Sequence, residues 1–122
     1  MVCDRFGDST VAYQGYAHGL GADTIDTLAK IAIGDVKPDL TLILDLPVDI
    51  GLDRAKTREP GREDRFERMG HAFHERLRQG FREIARQEPE RCTVIDATQT
   101  IEAIHAGIVA AVAARWPRMA PA

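Results

Sequence analysis

The fold is decided by residues 4–15, which read DRFGDSTVAYQG. Two apolar residues, Val2 and Cys3, precede this stretch, and we interpret them as the end of a β-strand. A small polar loop and then a short helix are expected to follow. This arrangement would place the Asp4 carboxylate and the Arg5 guanidinium at the carboxyl edge of a parallel sheet, where α/β proteins bind ligands. A guanidinium at that edge is a planar, permanently charged group suited to phosphate oxygens.

Arg5 also permits a purely structural interpretation. In that case its side chain forms an ion pair with Asp4 or Asp8 at the end of the strand, and an exposed pair of this kind contributes little to stability.

Thr10, Tyr13 and Gln14 are spaced so that one face of the short helix would present all three side chains. An aromatic ring between two hydrogen-bonding groups suits a flat, polar base attached to a deoxyribose. The structural alternative is a helix cap followed by a half-buried tyrosine.

Length and composition indicate a single globular domain. The chain has 122 residues, of which 44% are hydrophobic and 29% are charged. The net charge of −3 argues against a nucleic-acid partner. No apolar run predicts a membrane span, and the opening residues predict no signal peptide. Cys3 and Cys92 lack the spacing of metal ligands, so we expect free thiols and a reducing, cytoplasmic location.

Strands alternate with helices along the chain, which predicts an α/β fold with a parallel sheet covered by helices. Strands over 40–46 and 92–95 would join the strand that ends at Cys3. Helices are predicted from Asp23 or Thr24 to Gly34, over 48–57, from Asp64 to Pro89, and from Thr98 or Thr100 onward. Apolar residues recur on one face of the second and fourth helices, at Ile25, Leu28, Ala29 and Ala32, and at Phe66, Met69, Phe73, Leu77, Phe81 and Ile84.

A charged segment over residues 53–68 covers the end of the third predicted helix, the loop after it and the start of the fourth. It holds six basic and five acidic side chains, and Pro60-Gly61 in its centre cannot continue a helix. One interpretation is a solvated surface rich in ion pairs. The other is a lid over residues 58–65 whose arginines close over phosphate groups once water is excluded.

These motifs resemble the thymidylate kinase family. The stretch at 4–15 is similar to the Asp-Arg-(Tyr/Phe/His) segment of the bacterial enzymes. Further blocks follow in the order of the family: PDLTLILD at 38–45, GLDRA at 51–55, DRFE at 64–67, FHER at 73–76 and VIDATQ at 94–99.

The resemblance implies a fold and an activity. The fold would be a partial P-loop NTPase, a three-layer α/β architecture of the nucleoside monophosphate kinase type with a truncated parallel sheet. The activity would be phosphorylation of dTMP to dTDP, with ATP as the phosphate donor and Mg²⁺ as the metal. Members of the family are homodimers that associate through helices, and the face of Ile25 and Leu28 is expected to contribute.

The resemblance also assigns roles to residues at the acceptor site. Arg5 corresponds to the arginine that bridges acceptor and donor phosphates, and Asp4 lies near the magnesium and its waters without binding the metal directly. Thr10, Tyr13 and Gln14 occupy the positions that contact the pyrimidine and exclude a ribose 2′-hydroxyl.

The donor site is assigned in the same way. The family carries a catalytic arginine in its lid, and the candidates in this sequence are Arg58, Arg62 and Arg65. Arg54 would stack on adenine as a planar cation, with Ala97 and Gln99 bordering the base.

One family motif does not occur in this sequence. No segment matches Gly-x-x-x-x-Gly-Lys-(Ser/Thr), the P-loop that the family keeps upstream of Asp-Arg to hold the donor phosphates. We therefore interpret residues 1–122 as a single C-terminal portion of a thymidylate kinase domain that is inactive alone. The alternative is a non-catalytic nucleotide-binding or dimerisation module.

Overall fold

The computed structural model of the chain describes residues 1–34, 36–58 and 70–119. The elements in chain order are α1 (Gly7–Thr10), a π-helical segment (Val11–Ala17), α2 (Ala22–Ile33), β1 (Thr41–Asp45), α3 (Val48–Arg58), α4 (His71–Gln87), β2 (Cys92–Asp96), α5 (Ile101–Arg115) and a 3₁₀ turn (Pro117–Met119). This order of strands and helices confirms the α/β class predicted from the sequence.

Two parallel strands form the sheet. β1 and β2 pair in register, from Thr41 opposite Cys92 at the amino edge to Asp45 opposite Asp96 at the carboxyl edge. The strands begin and end within one residue of the predicted bounds, because short apolar runs flanked by turn residues leave little freedom of register. Ile43 of β1 is buried in the main core.

The expected third strand is absent from the described part of the chain. Residues 1–3 adopt no regular structure, and Val2 is fully exposed, so the prediction of a strand ending at Cys3 is wrong. The backbone groups of a strand must form hydrogen bonds with a neighbouring strand. The apolar character of Val2 and Cys3 does not provide such a neighbour. Asp4 and Arg5 therefore do not lie at the end of a strand.

The core lies between the sheet, α4 and the first helical segment. It consists of Ala12, Ile43, Ile84, Ala85 and Cys92, with Val11, Leu77 and Phe81 packed against it. The predicted apolar stripe is confirmed for Phe73, Leu77, Phe81 and Ile84 of α4, which face this core or its edge. Phe66 and Met69 lie outside the described residues.

Glycine sets the ends of two helices. Gly34 follows α2 with a φ of 75°, as predicted, and Gly70 precedes α4 with a φ of 85°. These left-handed conformations interrupt a helix and suit glycine, which has no Cβ. The prediction that one helix would begin at Asp64 and run through position 70 is wrong, because α4 begins at His71.

The other helix starts differ in detail from the predictions. α2 begins at Ala22 after Gly21, so neither Asp23 nor Thr24 is its N-cap. Thr100 caps α5, since its hydroxyl oxygen accepts a hydrogen bond of 3.1 Å from the amide of Ala103.

A group of four polar residues, the amino-edge network, ties the first helix to the sheet. Arg91 precedes β2 and donates two hydrogen bonds, of 2.7 and 3.1 Å, to the Asp8 carboxylate of α1. It also donates to Glu88 at 2.5 Å and to the hydroxyl of Thr41 at 2.8 Å. Because Thr41 is the first residue of β1, α1 begins at the amino edge of the sheet and not at its carboxyl edge.

The outer face of α2 is apolar and exposed. Ile25 is buried, but the side chains of Leu28 and Ile31 are 55% and 77% exposed. The predicted apolar face is thus only partly covered by the rest of the described chain. No helix among the described residues is both long enough and apolar enough to span a membrane.

Candidate functional site

Arg5 lies in the turn before α1 and has an unusual backbone. Its φ of 63° is the only positive value among the described residues other than glycine. The left-handed conformation costs a residue with a Cβ about 1–2 kcal/mol. Its carbonyl oxygen accepts a hydrogen bond of 3.2 Å from the Cys3 thiol.

The Arg5 side chain folds back over Tyr13. Its guanidinium carbon is 5.3 Å from the centre of the Tyr13 ring, which is within the range of a cation–π contact. Arg5 does not pair with Asp8, whose carboxylate binds Arg91 instead. The structural alternative that joined Arg5 to Asp8 is therefore wrong, and Arg5 and Tyr13 lie together.

Tyr13 belongs to a π-helical segment of seven residues. The amide of His18 bonds to the carbonyl of Tyr13 five residues earlier, at 3.1 Å. This wider helix carries Tyr13 against α4, where its ring centre lies 6.4 Å from the ring centres of both Phe73 and Phe81. π-Helical turns are rare and are frequent at functional sites.

Thr10 and Gln14 differ from Tyr13 in their surroundings. Both are exposed, whereas Tyr13 is half-buried. The three side chains were predicted to share one face of an α-helix. The structure instead turns the ring of Tyr13 inward and leaves the two hydrogen-bonding groups open to solvent, because the segment winds as a π-helix from Val11.

A second group of predicted residues meets at the carboxyl edge of the sheet. Arg54 of α3 donates a hydrogen bond of 2.8 Å from Nη1 to the carbonyl of Ala97, which directly follows β2. The side-chain amide of Gln99 donates to the carbonyl of Asp96 at 2.9 Å. The two bonds hold a guanidinium and a turn of backbone side by side at this edge.

The two aspartates that end the strands, Asp45 and Asp96, both accept hydrogen bonds. Arg78 of α4 forms a bidentate pair with Asp45 at 2.9 and 3.0 Å, and this hydrogen bonding lowers the pKa of Asp45. Asp96 accepts hydrogen bonds from the hydroxyl and the amide of Thr98, which lower the pKa of Asp96. Neither contact was predicted from the sequence, although Asp45, at the end of a predicted strand, was a visible signal for the first.

The lid candidates Arg62 and Arg65 lie outside the described residues, and so does the side chain of Arg58, whose backbone ends α3. Asp4, which precedes Arg5 in the chain, is among the described residues and is exposed. The part of the chain that the structure describes contains no group of three or more His, Cys, Asp or Glu that could hold a metal ion.

Comparison with known proteins identifies the family. Residues 1–108 match the family model described as thymidylate kinase. The chain belongs to the thymidylate kinase family. This finding confirms the resemblance on which the sequence analysis relied.

Thymidylate kinases of known sequence and structure agree with this result. The chain is 53% identical to the thymidylate kinase of Caulobacter vibrioides over 108 residues, which cover 88% of this chain and 51% of the relative. It is 48% identical to that of Nitrobacter hamburgensis over 112 residues, covering 91% of this chain and 49% of the relative. The crystal structure of thymidylate kinase from Ehrlichia chaffeensis matches with a TM-score of 0.62 at 35% identity, covering 90% of this chain and 47% of that one.

The chain spans about half the length of the thymidylate kinases it matches. The structural match shows that this part has the P-loop NTPase fold of the thymidylate kinases. The activity of the whole protein is proposed below.

Proposed function

We propose that this chain forms the C-terminal portion of an enzyme that phosphorylates dTMP to dTDP with ATP. In this reaction an oxygen of the dTMP phosphate forms a bond to the γ-phosphorus of ATP, and the bond from that phosphorus to the β,γ-bridging oxygen breaks, leaving ADP. The observation that carries the proposal is the Arg5 guanidinium over the Tyr13 ring. It combines a phosphate-binding cation with an aromatic ring suited to a nucleoside.

Arg5 would bind the phosphate that accepts the transferred group. Phosphoryl transfer depends mainly on alignment and on positive charge around the transferred group, and a guanidinium supplies both through its planar array of donors. The contact with Tyr13 limits the positions that this long side chain adopts, so less conformational freedom is lost when phosphate binds. The strained backbone at Arg5 is of the kind that functional sites retain.

Tyr13, Thr10 and Gln14 would bind the nucleoside of dTMP. Tyr13 is held by two phenylalanine rings of α4, which makes it a rigid wall for the sugar and the base. The exposed side chains of Thr10 and Gln14 are available to hydrogen-bond the polar edge of the base.

Arg54, Ala97 and Gln99 would border the adenine of ATP. The hydrogen bond from Arg54 to the Ala97 carbonyl fixes the guanidinium plane at the carboxyl edge of the sheet. A fixed planar cation can stack on a purine ring. Arg58, Arg62 and Arg65 are proposed as the lid arginines that surround the transferred phosphate.

Mg²⁺ is the metal implied by the family, and it would offset phosphate charge when bound. Asp4 is the residue of this chain proposed to lie near it and to hold its waters. Asp4 is exposed, so its carboxylate is open to water bound to such a metal.

The donor phosphates need a further element. This sequence has no Gly-rich Lys-(Ser/Thr) motif. We therefore propose that the 122 residues alone bind ATP weakly and transfer no phosphate, and that catalysis requires a P-loop supplied in the same polypeptide. The location proposed for such an enzyme is the cytoplasm.

Complementation tests this proposal. The residues of the Caulobacter vibrioides relative that precede the matched region would be joined to the amino end of this chain, and dTDP formation would be followed with ATP and dTMP. We expect activity from the fusion and none from the 122 residues alone. Arg5→Lys in the fusion should lower kcat at least tenfold, whereas Arg86→Lys, an exposed change on α4, should leave it unchanged. An inactive but folded fusion that still binds ATP would contradict the proposal.

The exposed face of α2 favours a second candidate, a dimerisation module. Leu28 and Ile31 present an apolar surface on one helix, and the family is expected to associate through helices. We propose that two copies pair through this face. Light scattering after size exclusion should show a dimer, and Ile31→Lys should convert it to a monomer, whereas Lys30→Gln on the same helix should not.

A further inference from the structure

Gly80 of α4 lies directly against Tyr16 of the π-helical segment. A Cβ placed on Gly80 would lie 2.9 Å from both Cβ and Cγ of Tyr16, and 3.1 Å from its Cδ2. Carbon atoms that are not bonded prefer separations of about 3.5–4.0 Å. Since Gly80 is itself buried, α4 and the segment approach each other more closely than any side chain at this position would permit.

Two further contacts fix the same segment on the same face of α4. Arg76, one helical turn before Gly80, donates a hydrogen bond of 3.0 Å from Nε to the carbonyl of Ala17. Phe73 lies beside Tyr13 and has its ring centre 4.9 Å from that of His18. α4 thus contacts the segment at its last two residues, Tyr16 and Ala17, and through the ring of Tyr13.

We infer that Gly80 is a positioning residue for the nucleoside monophosphate site. Its missing side chain sets how closely the π-helical segment packs on α4, and therefore where Tyr13 and Gln14 meet the nucleoside. A methyl group at position 80 would push Tyr16 outward and carry Tyr13, three residues earlier on the same segment, out of place. The inference rests on the proposed function, because it concerns the site assigned there to dTMP.

Alanine at position 80 tests this directly, and Gly107→Ala is the matched control. Gly107 lies inside α5, where an added Cβ would meet only Cγ2 of Ile95, at an ordinary 3.7 Å. Both substitutions put the same methyl group into a helix interior, so they share any general effect of alanine on helix formation. The measurement is a titration of the ¹⁵N-labelled 122-residue chain with dTMP, followed by chemical-shift changes, and repeated with the ribose counterpart of dTMP.

We expect Gly80→Ala to weaken dTMP binding about five- to tenfold, which is the affinity lost with about one well-formed hydrogen bond. The preference for dTMP over its ribose counterpart should fall as well, since the wall formed by Tyr13 moves. A variant that was merely less stable would bind dTMP and its ribose counterpart more weakly by the same factor. Gly107→Ala should match the unsubstituted chain in both respects.

Tyr16→Ala supplies an internal check, because it removes two of the three atoms that the new methyl group would meet. The effect of Gly80→Ala should therefore be smaller in the Tyr16→Ala background. Hydrogen exchange of the amides of residues 13–18 should accelerate in Gly80→Ala and not in Gly107→Ala.

The outcomes separate the inference from the proposed function. If the unsubstituted chain binds dTMP and Gly80→Ala binds it equally well, the inference is overturned and the proposed function stands. The inference would also be overturned if Gly80→Ala and Gly107→Ala lost dTMP affinity equally. It would be overturned as well if Gly80→Ala weakened dTMP binding as much in the Tyr16→Ala background as in the unsubstituted chain. If neither the unsubstituted chain nor Gly107→Ala binds dTMP, the proposed dTMP site is overturned, and the inference falls with it.

Discussion

Replacing Arg91 by methionine measures what the amino-edge network contributes to stability. The Arg91 side chain is only 11% exposed and that of Asp8 is 19% exposed, so the pair is largely shielded from water. Methionine keeps most of the apolar length of arginine but removes the guanidinium. The change leaves the Asp8 carboxylate and the Thr41 hydroxyl without the cation that binds both.

The magnitude follows from the burial of the pair. Breaking a fully buried ion pair costs about 3–5 kcal/mol, because one charge remains without a partner. Water still reaches part of Asp8, so we expect Arg91→Met to lower the unfolding free energy by about 2–3 kcal/mol. Asp8→Asn should lower the unfolding free energy by less than Arg91→Met does. The double variant should lose less unfolding free energy than the sum of the two single losses, with a coupling energy of about 1–2 kcal/mol.

Glu88 gives the network a pH dependence. Hydrogen bonds from Arg91, and then from Lys37, lower the pKa of Glu88 to about 2. An unfolded glutamate has a pKa of about 4.3. A pKa that is lower in the folded state means that the contribution of Glu88 is fully present above about pH 5 and is lost as the pH falls towards 2. Because a third of this side chain is exposed, we expect the contribution to be about 1–2 kcal/mol.

Urea unfolding at pH 7, followed by far-ultraviolet circular dichroism, provides the measurement. Arg86→Met is the matched control, because Arg86 pairs with Glu83 at the same spacing of three residues but is 72% exposed. The control should change the unfolding free energy by less than about 0.5 kcal/mol. If Arg91→Met costs no more than the control, or if the Arg91 and Asp8 variants are additive, the network does not stabilise the fold as argued.

Two further substitutions and one labelling experiment test other parts of the structure. Thr100→Ala removes the cap of α5 and should cost about 1 kcal/mol of unfolding free energy in urea, and a loss below 0.3 kcal/mol would contradict the cap. Asp45→Asn removes the ion pair with Arg78 and should cost about 1–2 kcal/mol at pH 7. Since the pKa of Asp45 is lowered in the folded state, this cost should shrink below about pH 4, and a cost independent of pH would count against the pair. Cys3 is exposed, whereas burial raises the pKa of the Cys92 thiol, so a thiol reagent should label Cys3 within minutes and Cys92 only in denaturant.

The sequence predicts those parts of the fold that depend on local chemistry. β1, β2 and α3 begin and end close to the predicted residues, because apolar runs and Pro47 define them without help from distant contacts. The apolar stripe of α4 is also predictable from the local sequence, since its residues recur at helical spacing. The contact between Arg54 and Ala97 joins two residues that the family resemblance had already assigned to one site.

The remaining features depend on contacts that no local pattern contains. The apolar pair Val2-Cys3 is compatible with a strand, but it has no neighbouring strand among the described residues. The helical pattern of the sequence continues through Gly70, whereas α4 begins at His71, directly after the positive φ of that glycine. The bond between Arg91 and Asp8 spans 83 positions of sequence, and both residues taken alone look like ordinary surface charges.

The π-helical segment is the hardest feature to predict. Its residues show the spacing expected of an α-helix, and its wider winding accompanies close packing against Gly80 and Phe73. Position 80 carries no visible signal in the sequence, since glycine inside a helix usually only weakens it.

The in-register pairing of Asp45 with Asp96 has a consequence for how this protein can vary. Two acidic groups meet where a polyanionic ligand is proposed to arrive, and among the described residues Arg78 alone supplies a counter-charge through a direct bond to either one. A neutral residue at position 45 would make that arginine dispensable, whereas loss of the arginine alone would leave the entrance repulsive to nucleotides. In a library of the fusion protein varied at positions 45 and 78 and selected for growth, changes at position 78 should therefore be tolerated only together with a neutral residue at position 45.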